Sequence, residues 1–244
     1  MKSFKYSKKN FHISIDKISF SLDKVSIDLP DVKANFSIYD KACWKTNLIS
    51  PSAMGYYHYF PFMENYHGIN LMNGFCNGII NNSSFNEAKL YIEKDYGVSQ
   101  PNSWIWMQAN NFANSNISLT FSYANVPFLK KAFNGFICGL LINKKLYKFT
   151  TYNSSKIIFA EENEDSIKVI VVRNNKKLIL NAKKSDKTEL LSPVYGEMKK
   201  TIYESVSSKI SVEMYEKNKL IFEGASPNGG LEYVNTDNLL VYDY

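Results

Sequence analysis

Arginine is nearly absent. Arg173 is the only one in 244 residues, so lysine supplies almost all of the basicity behind a formal net charge of +6. Recognition of phosphates and base edges leans on the bidentate guanidinium, and neither an aromatic RNA-binding motif nor Cys/His finger spacing accompanies the lysines. A nucleic-acid partner is therefore not expected. A diffuse lysine surface serves solubility and, as a second reading, attraction to an anionic membrane face. Cysteine is scarce too. Cys43, Cys76 and Cys138 are odd in number, far apart and without CxxC spacing or nearby histidines, which indicates neither a disulfide scaffold nor a metal site. They read as buried or free thiols.

Long hydrophobic runs are missing: no stretch approaches about 18 uninterrupted apolar residues, and the basic start "MKSFKYSKKNFHISID" has no apolar signal core. The expectation is a cytoplasmic protein with, at most, peripheral contact with a membrane. G-x-S-x-G, the P-loop and G-x-G-x-x-G are also missing, so the common nucleophile and nucleotide motifs offer no function. Helical periodicity is confined to "VPFLKKAFNG" (126–135) and a turn around "EMKKTIYES" (197–205).

What is present is alternation. In "FHISIDKISFSLDKVSIDL" the sets Phe11/Ile13/Ile15, Ile18/Phe20/Leu22 and Val25/Ile27/Leu29 recur with period two, broken at polar pairs. "GFICGLLINKKLYKFTTYN", "SIKVIVVRNNKKLILNAKK" and "SKISVEMYEKNKLIFEGAS" each read as strand, short Asn/Lys turn, strand. With 45% hydrophobic and 15% aromatic residues spread along it, the chain is globular. The fold class is all-β, in antiparallel barrels or sandwiches, and a barrel of about eight strands is wide enough to hold a small apolar ligand. Pro101 marks the best break, giving expected domains of 1–100 and 101–244.

Three clusters carry candidate chemistry. In "YIEKDYG" (91–97), Tyr91, Glu93 and Asp95 share one face of an extended segment, with the two carboxylates roughly 6–7 Å of rise apart. Burial of both would keep one protonated and make a general acid. A solvated strand end is the plainer reading of the same triplet. In "WIWMQANNF", Trp104, Trp106, Gln108, Asn110 and Phe112 fall on one face, with Ile105, Met107 and Ala109 on the other. Indoles beside amides suit a wall that holds a flat, partly polar molecule, and an indole face stabilises a developing cation by ~2 kcal/mol when desolvated. Ordinary core is the alternative. In "GYYHYFPFMENYHG" (55–68), Tyr57, Glu64 and His67 sit among aromatics with His58, and His-x8-His matches no zinc spacing, so no metal is expected.

Read together, "GYYHYFPFMENYHG", "AKLYIEKDYG", P-x-x-"WIWMQANNF", "GFICGLLINKKLYKFTTYN", "GEMKKTIYES" and "LIFEG" resemble bacterial members of the tocopherol cyclase family, over about residues 4–235. The resemblance implies two lipocalin-like β-domains, related more distantly to carotenoid hydratases. It also implies closure of a chromanol ring from a prenylated quinol without cofactor. That chemistry needs a neutral carboxylic acid in a dry, aromatic-walled pocket. Glu93 and Asp95 are the candidate acids, Glu64 and His67 the next in line, and Tyr57, Trp104, Trp106, Gln108 and Asn110 the ligand contacts. The partner is an isoprenoid quinol or another apolar small molecule. Two departures from the family pattern stand out. The chain starts beyond the family's Gly-Trp-Tyr-Phe segment, so the first barrel is expected to be incomplete. Tyr96 and Gln100 stand where Trp and Phe are usual. A non-catalytic lipid- or quinone-binding module, or a truncated inactive relative, is the competing expectation.

Overall fold

The computed structural model describes residues 3–7, 11–114, 116–128 and 131–242. Its first seven strands are β1 (Phe4–Ser7), β2 (His12–Ile15), β3 (Ile18–Ser21), β4 (Lys24–Asp28), β5 (Lys33–Ala42), β6 (Asn65–Ile80) and β7 (Ser83–Gly97). They lie side by side in chain order as one antiparallel meander. The N-terminal alternation predicts three of these strands, β2 to β4; the polar pair Asp16-Lys17 is the first turn, and the second falls at Leu22-Asp23, one residue earlier than the expected Asp23-Lys24.

Two compact units form: residues 1–45 with 69–94, and residues 46–68 with 95–244. The first unit is the open half-barrel, and its core is small. Val25, Ile38, Leu71 and Cys76 are buried together, with Leu22, Phe36, Phe85 and Ile92 half-buried around them.

The second unit holds β8 (Trp104–Ala109), β9 (Ile117–Phe128), β10 (Lys131–Ile142), β11 (Lys145–Thr150), β12 (Lys156–Glu162), β13 (Ser166–Arg173), β14 (Lys176–Lys183), β15 (Thr188–Val194), β16 (Glu197–Ser205), β17 (Ile210–Glu216), β18 (Lys219–Ser226) and β19 (Gly230–Val234). They make a seven-stranded sheet, β11-β10-β9-β8-β19-β16-β15, and a five-stranded sheet, β12-β13-β14-β17-β18. The three hairpins read from the sequence are β10–β11, β13–β14 and β17–β18. Two of their turns place both central residues at positive φ, Asn143/Lys144 and Lys217/Asn218, which matches the right-handed twist of the flanking strands.

Alternation also explains the core. Ile105, Met107 and Ala109 of β8, Leu119 and Phe121 of β9 and Cys138 and Leu140 of β10 meet Val169, Leu180, Val212 and Met214 of the other sheet, all essentially without exposure. Side chains fill the space between the two sheets. The intersheet space is lined by this one apolar cluster.

Both helical candidates are corrected as well. Residues 126–128 end β9 and 131–135 begin β10, so the apolar spacing of "VPFLKKAFNG" belongs to two paired strands, with Val126 opposite Phe133. "EMKKTIYES" is β16 in full. Cys43 is exposed, Cys76 and Cys138 are buried, and all three are free thiols. No helix among the described residues is long and apolar enough to cross a membrane.

Candidate functional site

The two faces of β8 part company. Its odd-numbered residues enter the intersheet core, and Trp104, Trp106 and Gln108 occupy the opposite face of the seven-stranded sheet. Trp104 packs there with Ala124 and Ile202, flanked by Trp106, Val126 and Val234. The Trp106 ring lies over Gly230, where a Cβ would come within 2.5 Å of it, so only glycine lets the indole lie flat on the sheet. Asn110 lies past the end of β8 and is half-buried, and Phe112 turns the other way, into the intersheet core against Phe222. The strand stops at Ala109, so the alternation that puts Asn110 and Phe112 beside the tryptophans stops with it.

Residues 55–62 extend the apolar face. Tyr57 stacks on Phe133 at 5.4 Å between ring centroids, Phe60 meets Phe128 at 5.7 Å, and Phe128 meets Phe133 at 5.7 Å. By strand register Phe133, Val126 and Ala124 share the side that carries Trp104. Tyr57 is thus joined to the tryptophan face through neighbouring rings. Burial, with Tyr56 alongside, pushes the Tyr57 hydroxyl up to about 12.

Two carboxylates missed by sequence reasoning sit on this face. Glu232 of β19 is directly opposite Trp106 of β8 on one side and Glu204 of β16 on the other. Directly opposed residues bring their Cβ atoms to about 4.5–5.5 Å. The Trp104 indole N–H donates to Glu232 Oε2 at 2.8 Å, and the Lys200 ammonium lies 5.1 Å from the centre of the Trp104 ring. Burial pushes the Glu204 carboxyl above the usual carboxylate range and pulls the Lys200 ammonium below its own. Four buried side-chain atoms on the same face, Trp106 Nε1, Gln108 Nε2, Ser118 Oγ and Ser192 Oγ, hydrogen-bond to no group among the described residues. Ser192 and Ser118 are 2% and 0% exposed. No local signal links Glu204 to Glu232; only the pairing of β16 with β19 does.

The remaining candidates lie elsewhere. In the first unit Glu93 is half-buried and accepts a hydrogen bond from the Tyr91 hydroxyl. In the second unit Asp95 is solvent-exposed and its carboxylate pairs with His67 Nδ1 at 2.6 Å, while the His67 side chain is only 10% exposed. Tyr66 and Tyr96 stack beside this pair at 5.0 Å, and Glu64 is half-buried, its backbone carbonyl receiving the Val98 N–H at 2.8 Å. A shallow hollow of about 570 Å³ lined by Glu162, Glu164, Tyr233 and Asp237 is polar and lacks an aromatic wall like that beside β8. Among the described residues no group of three or more His, Cys, Asp or Glu side chains gathers to hold a metal ion.

The raised Glu204 carboxyl has a signed effect on stability. Its protonated form favours the fold, so its contribution is complete below the unfolded value and is lost as pH rises through the folded one. Glu204→Gln, facing Glu232, is expected to raise Tm near pH 8 by no more than about 2 °C, since solvent screens a half-exposed group, and to leave Tm unchanged near pH 4. Thermal melts at both pH values test this, and an equal shift at both would contradict it.

An antiparallel β-protein whose second sheet presents an indole-lined, carboxylate-bearing face is the class these features define. The tocopherol cyclase-like family model matches residues 22–234, and the chain belongs to that family. A crystal structure of a candidate AttH protein from Nitrosomonas europaea is similar over 91% of this chain and 69% of its own, at 14% identity and a TM-score of 0.44. No curated protein matches the chain.

Proposed function

We propose that this protein binds an isoprenoid quinol, or a closely similar amphipathic ring with an apolar tail, against the Trp104–Trp106–Gln108 face, with Tyr57 extending the aromatic wall. The observation that carries the reading is the combination on one face of two indoles, one with its N–H donated to Glu232 and the other with a buried, unpartnered N–H. The oxygen of a ring hydroxyl satisfies the free Trp106 N–H, whereas a purely apolar molecule leaves it unpaired at a cost of about 1–3 kcal/mol. Membership of the family supports turnover of the tocopherol cyclase type, in which an alkene is protonated and a phenol oxygen closes the ring, without a cofactor. A non-catalytic quinone- or lipid-binding role is the second reading, favoured by the openness of the first unit's sheet, which leaves β1 and β7 as edges among the described residues. Titration with a geranylated dimethylhydroquinone, followed by tryptophan fluorescence, tests the binding common to both. Saturable quenching supports it, and no response up to the solubility limit would refute it.

A prenyl tail already resides in a bilayer, so little hydrophobic gain remains on transfer to the protein, and the protein must visit the membrane to collect its ligand. Leu48 and Ile49 are 89% and 77% exposed, and the Tyr59 hydroxyl, on another exposed side chain, donates to the Leu48 carbonyl. On a chain of net charge +6 this tip suits an anionic bilayer, with each surface lysine near the headgroups adding about 1 kcal/mol that fades with salt. Leu48→Ser with Ile49→Ser is expected to lower partitioning onto anionic vesicles at least ~10-fold, corresponding to about 1.4 kcal/mol of lost apolar burial. Co-sedimentation indifferent to both salt and this double substitution would count against membrane contact.

A further inference from the structure

We infer that Glu204 is the proton donor of this site and that Glu232, facing it across β16 and β19, is the carboxylate that receives the phenolic proton. The inference rests on the quinol-cyclising reading above and assigns its acid and base.

Glu204 and Glu232 are opposite each other in register, and Trp106 continues the same row on the other side of Glu232. Glu232 is held by the Trp104 indole N–H at 2.8 Å, a bond that only an acceptor oxygen can make. Glu204 is the partner that burial drives toward its protonated form. The pair therefore has one carboxyl suited to give a proton and one suited to take it, which is how paired carboxyl groups divide acid and base roles. Independent of the carboxylates, the buried and unpartnered Trp106 Nε1 belongs to the same cross-strand row as Glu232 and Glu204, a donor prepared for a polar group. By contrast, Glu93 accepts the Tyr91 hydroxyl and Asp95 is paired with His67.

The step balances without a co-reactant. The Glu204 O–H proton goes to the less substituted carbon of a trisubstituted alkene, the π pair becomes the new C–H bond, and the other carbon becomes a tertiary cation. A lone pair of the phenol oxygen forms the C–O bond that closes the ring, and the phenolic proton passes to Glu232. Exchange of that proton between the two facing carboxyl groups restores the starting state. Nothing is oxidised or reduced, and product and substrate are isomers. The Trp104 and Trp106 faces stabilise the cation while it lasts.

The test is turnover of a geranylated dimethylhydroquinone under argon in D2O by the whole chain, read by mass spectrometry as a chromanol carrying one solvent deuterium on carbon. Binding is followed separately by fluorescence. The wild type is expected to convert it, and Glu204→Gln to lose at least ~100-fold in kcat with Kd changed less than threefold. Glu204→Asp, which keeps the acid but retracts it, is expected to lose about 10-fold in kcat, and serves if the glutamine variant does not fold. A Glu204→Gln or Glu204→Asp enzyme with wild-type kcat overturns the assignment and leaves the cyclase reading standing. A wild type that binds without forming chromanol overturns the assignment and leaves the binding reading standing. A wild type that does not bind overturns both.

Discussion

Trp106→Ala is expected to weaken binding of a geranylated dimethylhydroquinone by roughly 30-fold while the protein stays folded. One flat indole face contributes about 80 Å² of apolar contact, which at about 25 cal/mol per Å² amounts to about 2 kcal/mol, or that factor in Kd. The side chain lies on the outer face of its sheet against Gly230, away from the intersheet core, so its removal does not open a cavity between the sheets. Isothermal titration of the variant, with a thermal melt as control, measures both quantities. An unchanged Kd would show that the indole is packing for its own sheet and nothing more.

The second large effect falls on the opposite face of the same sheet. Phe121→Ala is expected to cost about 3–5 kcal/mol, read as a fall in Tm of roughly 10 °C. Phe121 has no exposure and touches the core that joins the two sheets of the second unit, where packing is dense and a ring-sized cavity does not collapse. Ligand affinity of the protein that remains folded at 20 °C should stay within threefold, because Phe121 points away from the tryptophan face. Trp106 and Phe121 therefore form a double dissociation: one substitution moves binding and spares stability, and the other does the reverse. Denaturant melts and titrations on both variants read it directly, and loss of both properties in each variant would contradict a two-faced sheet.

Much of this was legible in the chain because a strand's period is two. The separation of Trp104, Trp106 and Gln108 from Ile105, Met107 and Ala109 follows from parity alone, and the Asn/Lys turns of three hairpins announce themselves by residue type. Parity does not say which face is interior. The sequence reading places the indoles along a ligand cavity, whereas the intersheet space belongs to Ile105, Met107 and Ala109, and the indoles face outward from it. The apparent helix at 126–135 joins apolar residues from two strands, the end of β9 and the start of β10, with residues 129 and 130 outside the described ones. Non-local partners were out of reach. Glu204 and Glu232 stand in unremarkable polar surroundings, and only the long-range pairing of β16 with β19 makes them neighbours. Asp95 and His67 are both candidates in the sequence, yet nothing in their separate stretches tells that they form one close side-chain pair.

The most direct test of the account is native mass spectrometry of the purified wild type and Trp106→Ala proteins after exposure to vesicles loaded with a geranylated dimethylhydroquinone, followed by organic extraction of the bound fraction. The account predicts a one-to-one complex for the wild type, with hydroquinone or its chromanol isomer in the extract, and loss of most of that complex in the variant. A wild-type protein that emerges without ligand, or a variant that retains as much as the wild type, would contradict the claim that the tryptophan face of the seven-stranded sheet is where this protein holds its ligand.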